Sequence, residues 1–109
     1  MKQLHRPDLY NWCVFDQARN IDFHGVAWIR DAGNVLFDPV PMDDHDLAHL
    51  EELGGAAWIA VSNSDHTRDA ELLAARFGAT IVGPAAEREG FPIACGRWLA
   101  DGEALVEGL

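Results

Sequence analysis

One short apolar run does most to limit how this chain can fold. Residues Ala56 to Val61 are continuously apolar, and they stand between the glycine pair Gly54-Gly55 and a polar loop. A run of this length without alternation is typical of a strand buried on both faces, in a sheet that is covered by helices. The sequence therefore predicts an α/β protein.

The segments on either side of this run predict two helices. The first runs from about Asp43 to Leu53, and its apolar stripe consists of Leu47, Leu50 and Leu53. The second runs from about His66 to Phe77 and ends at a glycine. A further strand at Thr80-Ile81-Val82 completes a strand–helix–strand unit, for which a right-handed crossover is expected.

The first forty residues predict β structure. Strands are expected at Leu9 to Phe15, at Gly25 to Arg30 and at Val35 to Phe37, and the last two are close enough in sequence to form a hairpin. In the tail, we expect a short helix at Ala85 to Glu89 and a strand at Ile93 to Cys95. A tight turn at Asp101-Gly102 then precedes a strand at Ala104 to Val106.

The charge of the chain excludes some partners. With 18 acidic and 8 basic side chains, the formal charge is -10, which repels nucleic acids and anionic membrane surfaces. No segment approaches the roughly 20 apolar residues of a membrane span. The N-terminus lacks the apolar run of a signal peptide. Cys13 and Cys95 fit no metal spacing, and their apolar neighbours predict buried thiols. We therefore expect a cytoplasmic protein that binds neither nucleic acid nor membrane.

The polar loop after the apolar run is the candidate site. It reads Ser62-Asn63-Ser64-Asp65-His66-Thr67-Arg68 and is dense in titratable and hydrogen-bonding groups. Ligand sites in open α/β sheets form beyond the carboxyl ends of strands, which is where this loop lies. The structural alternative is that Ser64 or Asp65 caps the following helix while Arg68 is simply solvated.

The order of elements and the motif Asp65-His66 resemble the metallo-β-lactamase superfamily from about Leu9 to Gly108. The family pattern is His-x-His-x-Asp-His at the end of a buried strand. Aligned on Asp65-His66, the two earlier histidine positions fall on Val61 and Asn63. The loop is closer to a divergent branch that reads Ser/Thr-Asn-x-Asp-His-x-Arg. Asp38 matches the family's aspartate at the end of an early strand, which usually has a structural role.

The resemblance implies a fold and a chemistry. The fold would be the N-terminal half of an αββα sandwich, with a mixed sheet and two main helices, so residues 1–109 would form a single partial domain. Asp65 and His66 would be the catalytic and metal-ligating residues, holding Zn²⁺ or another divalent ion. The expected reaction is hydrolysis of an ester, thioester, amide or phosphoester by a metal-bound water. Ser62, Asn63, Ser64 and Arg68 would contact a small-molecule substrate or anion.

Two surviving ligands are too few for a tightly held zinc, since a valine cannot ligate and an asparagine carbonyl is a weak partner. We therefore expect a degenerate site that is inactive without a complementing C-terminal half, or that binds no metal. The alternative is a non-catalytic binding or assembly module that forms a homo-oligomer through its exposed sheet. A weaker third option is an unrelated flavodoxin-like ligand binder.

A second pair of candidate ligands lies on the first predicted helix. His45 and His49 stand four residues apart and could meet one ion. However, they lie away from the leucine stripe, so both are expected to face water without forming a native site.

Overall fold

The computed structural model describes residues 1–100 and residue 103. The predicted turn at Asp101-Gly102 and the strand at Ala104 to Val106 lie outside the described residues. The described chain forms a seven-stranded sheet and two helices. Their bounds are β1 Lys2–Gln3, β2 Leu9–Asp16, β3 Ile21–Trp28, β4 Val35–Phe37, α1 Asp44–Glu52, β5 Trp58–Ala60, α2 Ala70–Phe77, β6 Thr80–Pro84 and β7 Arg97–Leu99.

The sheet is mixed, as predicted, and its strands are arranged in chain order from β1 to β7. Strands β1 to β4 pair antiparallel, and β4 to β7 pair parallel. The predicted hairpin of β3 and β4 is confirmed. Strand β3 begins four residues earlier than predicted and ends at Trp28, because it pairs along its whole length with β2, from Leu9 opposite Trp28 to Asp16 opposite Ile21.

Both helices pack on one face of the sheet. Leu50 of α1 and Leu73 of α2 share a buried cluster with the strand residues Leu36, Ile59 and Ile81. The other face carries a separate cluster without a helix residue among those described: Val35 and Val82 are buried there, beside the half-buried Trp28, Phe37, Trp58, Ala60 and Leu99. The prediction of helical cover on both faces of the apolar run is therefore wrong.

The second helix begins four residues later than predicted. Arg68 has φ of +40°, a left-handed conformation that a right-handed helix cannot include, so Ser64–His66 forms a separate 3₁₀ turn. Asp69 stands at the N-cap position of α2 without a side-chain cap hydrogen bond. The predicted capping of this helix by Ser64 or Asp65 is wrong.

Two further predictions need correction. The last described strand is Arg97–Leu99, which pairs with β6, and Ile93 to Cys95 is not a strand.

Cys13 is exposed, because along β2 it alternates with the buried Trp12. Cys95 is half-buried, and burial raises the pKa of its thiol. Both cysteines are free. The predicted turn of helix after β6 is present at Ala85–Glu87.

A tryptophan fastens the β2–β3 hairpin to the rest of the molecule. A Cβ at Gly25 would lie 2.6 Å from the Trp12 ring, so glycine alone lets the ring lie on β3. The Trp12 indole Nε1 donates a hydrogen bond of 2.9 Å to the Val40 carbonyl, just after β4. The hairpin is thereby held beside the carboxyl edge of the sheet.

No helix in the described part of the chain has the length and apolarity to cross a membrane.

Candidate functional site

The candidate loop and Asp38 lie at the same edge of the sheet. Asp38 directly follows β4, and Ser62 comes two residues after β5. Since β4 and β5 are parallel neighbours, their carboxyl ends meet at one edge, where sites in α/β proteins form. A sequence separation of 24 residues between Asp38 and Ser62 is thus closed by the sheet itself.

Asp38 organises the start of the loop. Its Oδ1 accepts a hydrogen bond of 2.7 Å from the Ser62 backbone N–H, and its Oδ2 accepts one of 2.7 Å from the Ser62 hydroxyl. Its own N–H donates to the Ala60 carbonyl at 2.9 Å. The residue has φ of +44°, a conformation that costs energy in a non-glycine residue and that these contacts maintain.

The same carboxylate orients His66. Nδ1 of His66 lies 3.0 Å from the Ser62 Oγ and 3.3 Å from the Asp38 Oδ2. Because a carboxylate only accepts, the Ser62 hydroxyl proton points to Oδ2, and Nδ1 must then carry the proton that faces both oxygens. This leaves Nε2 unprotonated in the neutral ring. No hydrogen bond within the described residues occupies Nε2.

Asn63 shapes the next turn of the loop. Its Oδ1 accepts a hydrogen bond of 2.9 Å from the Asp65 N–H, which caps the 3₁₀ turn and directs Nδ2 towards the His66 ring. Nδ2 lies 3.4 Å from Nδ1 of His66, at the limit of hydrogen-bonding distance. The two shorter oxygen contacts therefore decide the tautomer. Ser64 is exposed, and its N–H donates to Glu87 at 3.2 Å, away from this cluster.

This arrangement does not make Ser62 a nucleophile of the serine-protease type. Such a triad needs the serine on one imidazole nitrogen and the carboxylate on the other. Here Ser62 and Asp38 both approach Nδ1, and the serine proton is directed at the carboxylate. The cluster is built to hold the ring of His66 with its second nitrogen available.

Arg68 has a structural role in the loop. Its Nη1 donates to the Asp38 carbonyl at 2.7 Å and to the His24 carbonyl at 2.9 Å, which ties the loop to β3. Its guanidinium carbon lies 5.5 Å from the centre of the Phe23 ring. The alternative of a merely solvated Arg68 is therefore wrong.

A groove of about 960 Å³ opens between the loop and the β2–β3 hairpin. Asp65, His66 and Arg68 line it, and Asp65 is exposed there. The opposite wall comes from the hairpin, which the sequence interpretation missed: Val14, Phe15, Asp16, Gln17, Ala18, Arg19 and Phe23. The polar stretch Asp16 to Asn20 between two strand-like runs was the available signal for that hairpin.

The loop does not supply a complete metal centre. In residues 1–100 and 103, no third histidine, cysteine or carboxylate joins Asp65 and His66 in a group of ligand atoms within 4.8 Å of one another. The two missing histidine positions are the buried Val61 and the turn-capping Asn63. One imidazole and one carboxylate are half of the roughly four ligands that zinc takes.

One group of three ligand atoms does occur, at the start of α1. It consists of Asp43, His45 and Asp46, whose ligand atoms lie within 4.8 Å of one another. The side chain of His45 is 86% exposed, as predicted. His49 is half-buried and stacks edge-on against Tyr10 with ring centres 5.3 Å apart, so the prediction that it faces water is wrong.

Comparison with known proteins gives one family. A model of the metallo-beta-lactamase superfamily matches residues 1–109, the whole chain. No curated protein matches it. The flavodoxin-like option is therefore wrong. The mixed sheet and two helices are consistent with part of a metallo-beta-lactamase fold.

Proposed function

Since the chain belongs to the metallo-beta-lactamase superfamily, we propose that its groove is the substrate site of a metal-dependent hydrolase-like protein. This chain would supply Asp65 and His66 as ligands. Zinc is the metal typical of the superfamily, and it would contribute a bound water of lowered pKa. The substrate class is an ester, thioester, amide or phosphoester.

The observation that carries the proposal is the orientation of His66. Asp38 and Ser62 hold its Nδ1, in the manner by which carboxylates orient metal-ligating histidines in known metal sites. Nε2 is left with a free lone pair on a residue that lines the groove. A solvated histidine in a helix turn would need no such support.

The described residues do not fit a complete metal centre, so the chain alone is not expected to hold zinc tightly or to turn over substrate. The remaining ligands would come from a further segment or a second subunit. In this reading Asp38 and Ser62 position His66, while Arg68 fixes the loop on β3.

Zinc titration of the purified chain tests this proposal. We expect weak binding that is lost in His66→Ala and Asp65→Ala and is retained in His45→Ala, the matched control on α1. Isotope-labelled His66 should report the ion through its imidazole nitrogens. Binding that survives both loop variants but disappears in the control would move the site to α1 and contradict the proposal.

The sheet face without helices favours a second function, assembly with another copy of the chain. Trp28, Phe37 and Trp58 lie together on this face around the buried Val35. A continuous apolar sheet face of this kind is typical of an interface. A self-associating module would need no metal.

Light scattering after size exclusion decides this second candidate. A dimer is expected at micromolar concentrations, and Trp58→Lys should make it monomeric while Leu72→Lys leaves it unchanged. Leu72 is the control because it is 69% exposed on α2, on the other side of the sheet. A wild-type chain that stays monomeric at all concentrations would rule out assembly through this face.

A further inference from the structure

The groove contains a second chemical feature, centred on an aromatic ring of the hairpin wall. The guanidinium carbons of Arg19 and Arg68 lie 5.6 Å and 5.5 Å from the centre of the Phe23 ring. All three residues line the groove. Arg19 comes from the β2–β3 turn and Arg68 from the loop after β5, so the two sides of the groove each contribute one cation.

Neither arginine is neutralised. In residues 1–100 and 103, no carboxylate comes within 4.0 Å of the guanidinium of Arg19 or Arg68, whereas Arg6 pairs with Asp8 at 2.7 Å and Arg76 pairs with Glu51 at 2.6 Å. The chain has 18 acidic and 8 basic side chains, so carboxylates are in excess. Two unpaired cations at one groove of such a protein favour an anionic ligand.

Arg68 is also preorganised to bind. Its Nη1 is committed to the carbonyls of Asp38 and His24, which fixes the plane of the guanidinium. Its remaining N–H groups make no hydrogen bond to the described residues. A guanidinium held in this way loses little entropy when it binds an oxyanion through two parallel hydrogen bonds.

The rest of the groove limits what the anion is attached to. Phe15 and Val14 of the hairpin are 52% and 36% exposed, and Val40 and Pro41 extend the apolar wall. Three carboxylates, those of Asp16, Asp65 and Asp69, also line the groove and would repel a polyanion. These features are complementary to one oxyanion group on an apolar body.

We infer that Arg19 and Arg68, stacked on Phe23, form a subsite for the oxyanion of an apolar organic acid, either a carboxylate or a phosphate monoester. The inference rests on the proposed function, because it describes the substrate class of the same groove. The anion lies at the Phe23 end, and the apolar body of the ligand packs on the hairpin wall beside His66.

The test is an NMR titration of the isotope-labelled chain in the presence of EDTA, with 4-phenylbutyrate, phenyl phosphate and the neutral 4-phenylbutan-1-ol as probes. The acids should shift the amide signals of Arg19, Phe23 and Arg68. We expect Arg19→Gln and Arg68→Gln each to weaken acid binding about tenfold, the loss of one charge-assisted hydrogen bond. Salt should weaken it further.

Arg88→Gln is the matched control, because Arg88 stacks on Trp98 at 5.6 Å outside this groove. It should leave the affinity unchanged. The inference is supported if either acid binds more weakly to the Arg19 and Arg68 variants and equally to the Arg88 variant. The affinities of the two acids then show whether the subsite prefers a carboxylate or a phosphate. Equal binding of the acids and the alcohol, or full affinity in Arg19→Gln, would overturn it. Since EDTA removes metals, acid binding that persists in His66→Ala separates this subsite from the fate of the proposed metal function.

Discussion

The loop after β5 and the start of α1 carry the same kinds of side chain, an imidazole beside carboxylates, in different surroundings. In the loop, His66 is held by Asp38 and Ser62, and it faces a groove. On α1, the side chain of His45 is 86% exposed, and the neighbouring carboxylates of Asp43 and Asp46 already bind other groups. Asp43 caps the helix through the Asp46 N–H, and Asp46 binds the Met1 ammonium at 2.6 Å.

The two groups differ more in what holds their histidine than in the number of their ligand atoms. The α1 group has three ligand atoms close together, yet its histidine is 86% exposed and its ring nitrogen lies 3.9 Å from the nearest carboxylate oxygen, that of Asp46. The loop offers fewer ligands, but the side chains of Asp38 and Ser62 hold its histidine ring, and the carbonyls of Asp38 and His24 hold its arginine. A histidine that other side chains orient and that borders a groove is better placed to bind a ligand than a histidine in a solvated cluster.

The largest expected effect is on stability. Asp38→Ala removes the acceptor of two charge-assisted hydrogen bonds from Ser62, so the free energy of unfolding should fall by about 2–4 kcal/mol. Asp43→Ala, the counterpart on α1, removes only a helix cap and should cost about 1 kcal/mol. Urea denaturation measures both. An equal loss of unfolding free energy in both variants would contradict the expectation that Asp38 stabilises the protein more than Asp43 does.

The next effect concerns metal affinity. Asp38→Asn should lower zinc affinity at the loop about tenfold, because the amide orients the His66 ring less well than the carboxylate does. Asp46→Asn should leave that affinity unchanged. Competition with a chromophoric chelator gives both values. A larger loss in the α1 variant would reverse the comparison.

A smaller difference in stability is expected between variants of the 3₁₀ turn and of the first turn of α1. Asn63→Ala should destabilise the protein by about 1 kcal/mol, since it leaves the Asp65 N–H without its cap. His45→Ala should change the free energy of unfolding by less than about 0.5 kcal/mol, as expected for an exposed side chain. Thermal unfolding monitored by circular dichroism resolves the two, and a destabilising His45→Ala would contradict the account.

The last effect is also small, and it is expected for Asp46→Asn, which removes the ion pair with the Met1 ammonium. The cost should be about 0.5 kcal/mol, and 1 M NaCl should reduce it because a partly exposed pair is screened. Repeating the urea titration at two salt concentrations checks this. A cost that is independent of salt would mean that the pair is more than a surface contact.

Much of the fold was predictable because it follows from periodicity. The apolar run at Ala56 to Val61, the leucine stripe of α1 and the strand at Thr80 to Val82 each have a local signature, and all three elements are present. The motif Asp65-His66 also led to the family, which the match across residues 1–109 confirms.

What could not be predicted depends on contacts between distant residues. The left-handed Arg68, which delays α2, is held by carbonyls 30 and 44 residues earlier in the chain. The role of Asp38 requires that β4 and β5 be parallel neighbours. The hairpin wall of the groove requires the register of β2 against β3. The polar stretch Asp16 to Asn20 signals the hairpin, but no local pattern encodes its position beside the loop, the role of Asp38 or the conformation of Arg68.

The central claim is that Asp38 and Ser62 hold His66 with Nδ1 protonated and Nε2 free. A long-range ¹H–¹⁵N correlation spectrum of the imidazole rings, recorded above the titration range of histidine, assigns the tautomer directly. The account predicts a protonated Nδ1 for His66 that is lost or mixed in Asp38→Ala. A ring protonated on Nε2 in the wild-type chain, or one that exchanges freely between tautomers as His45 should, would contradict it.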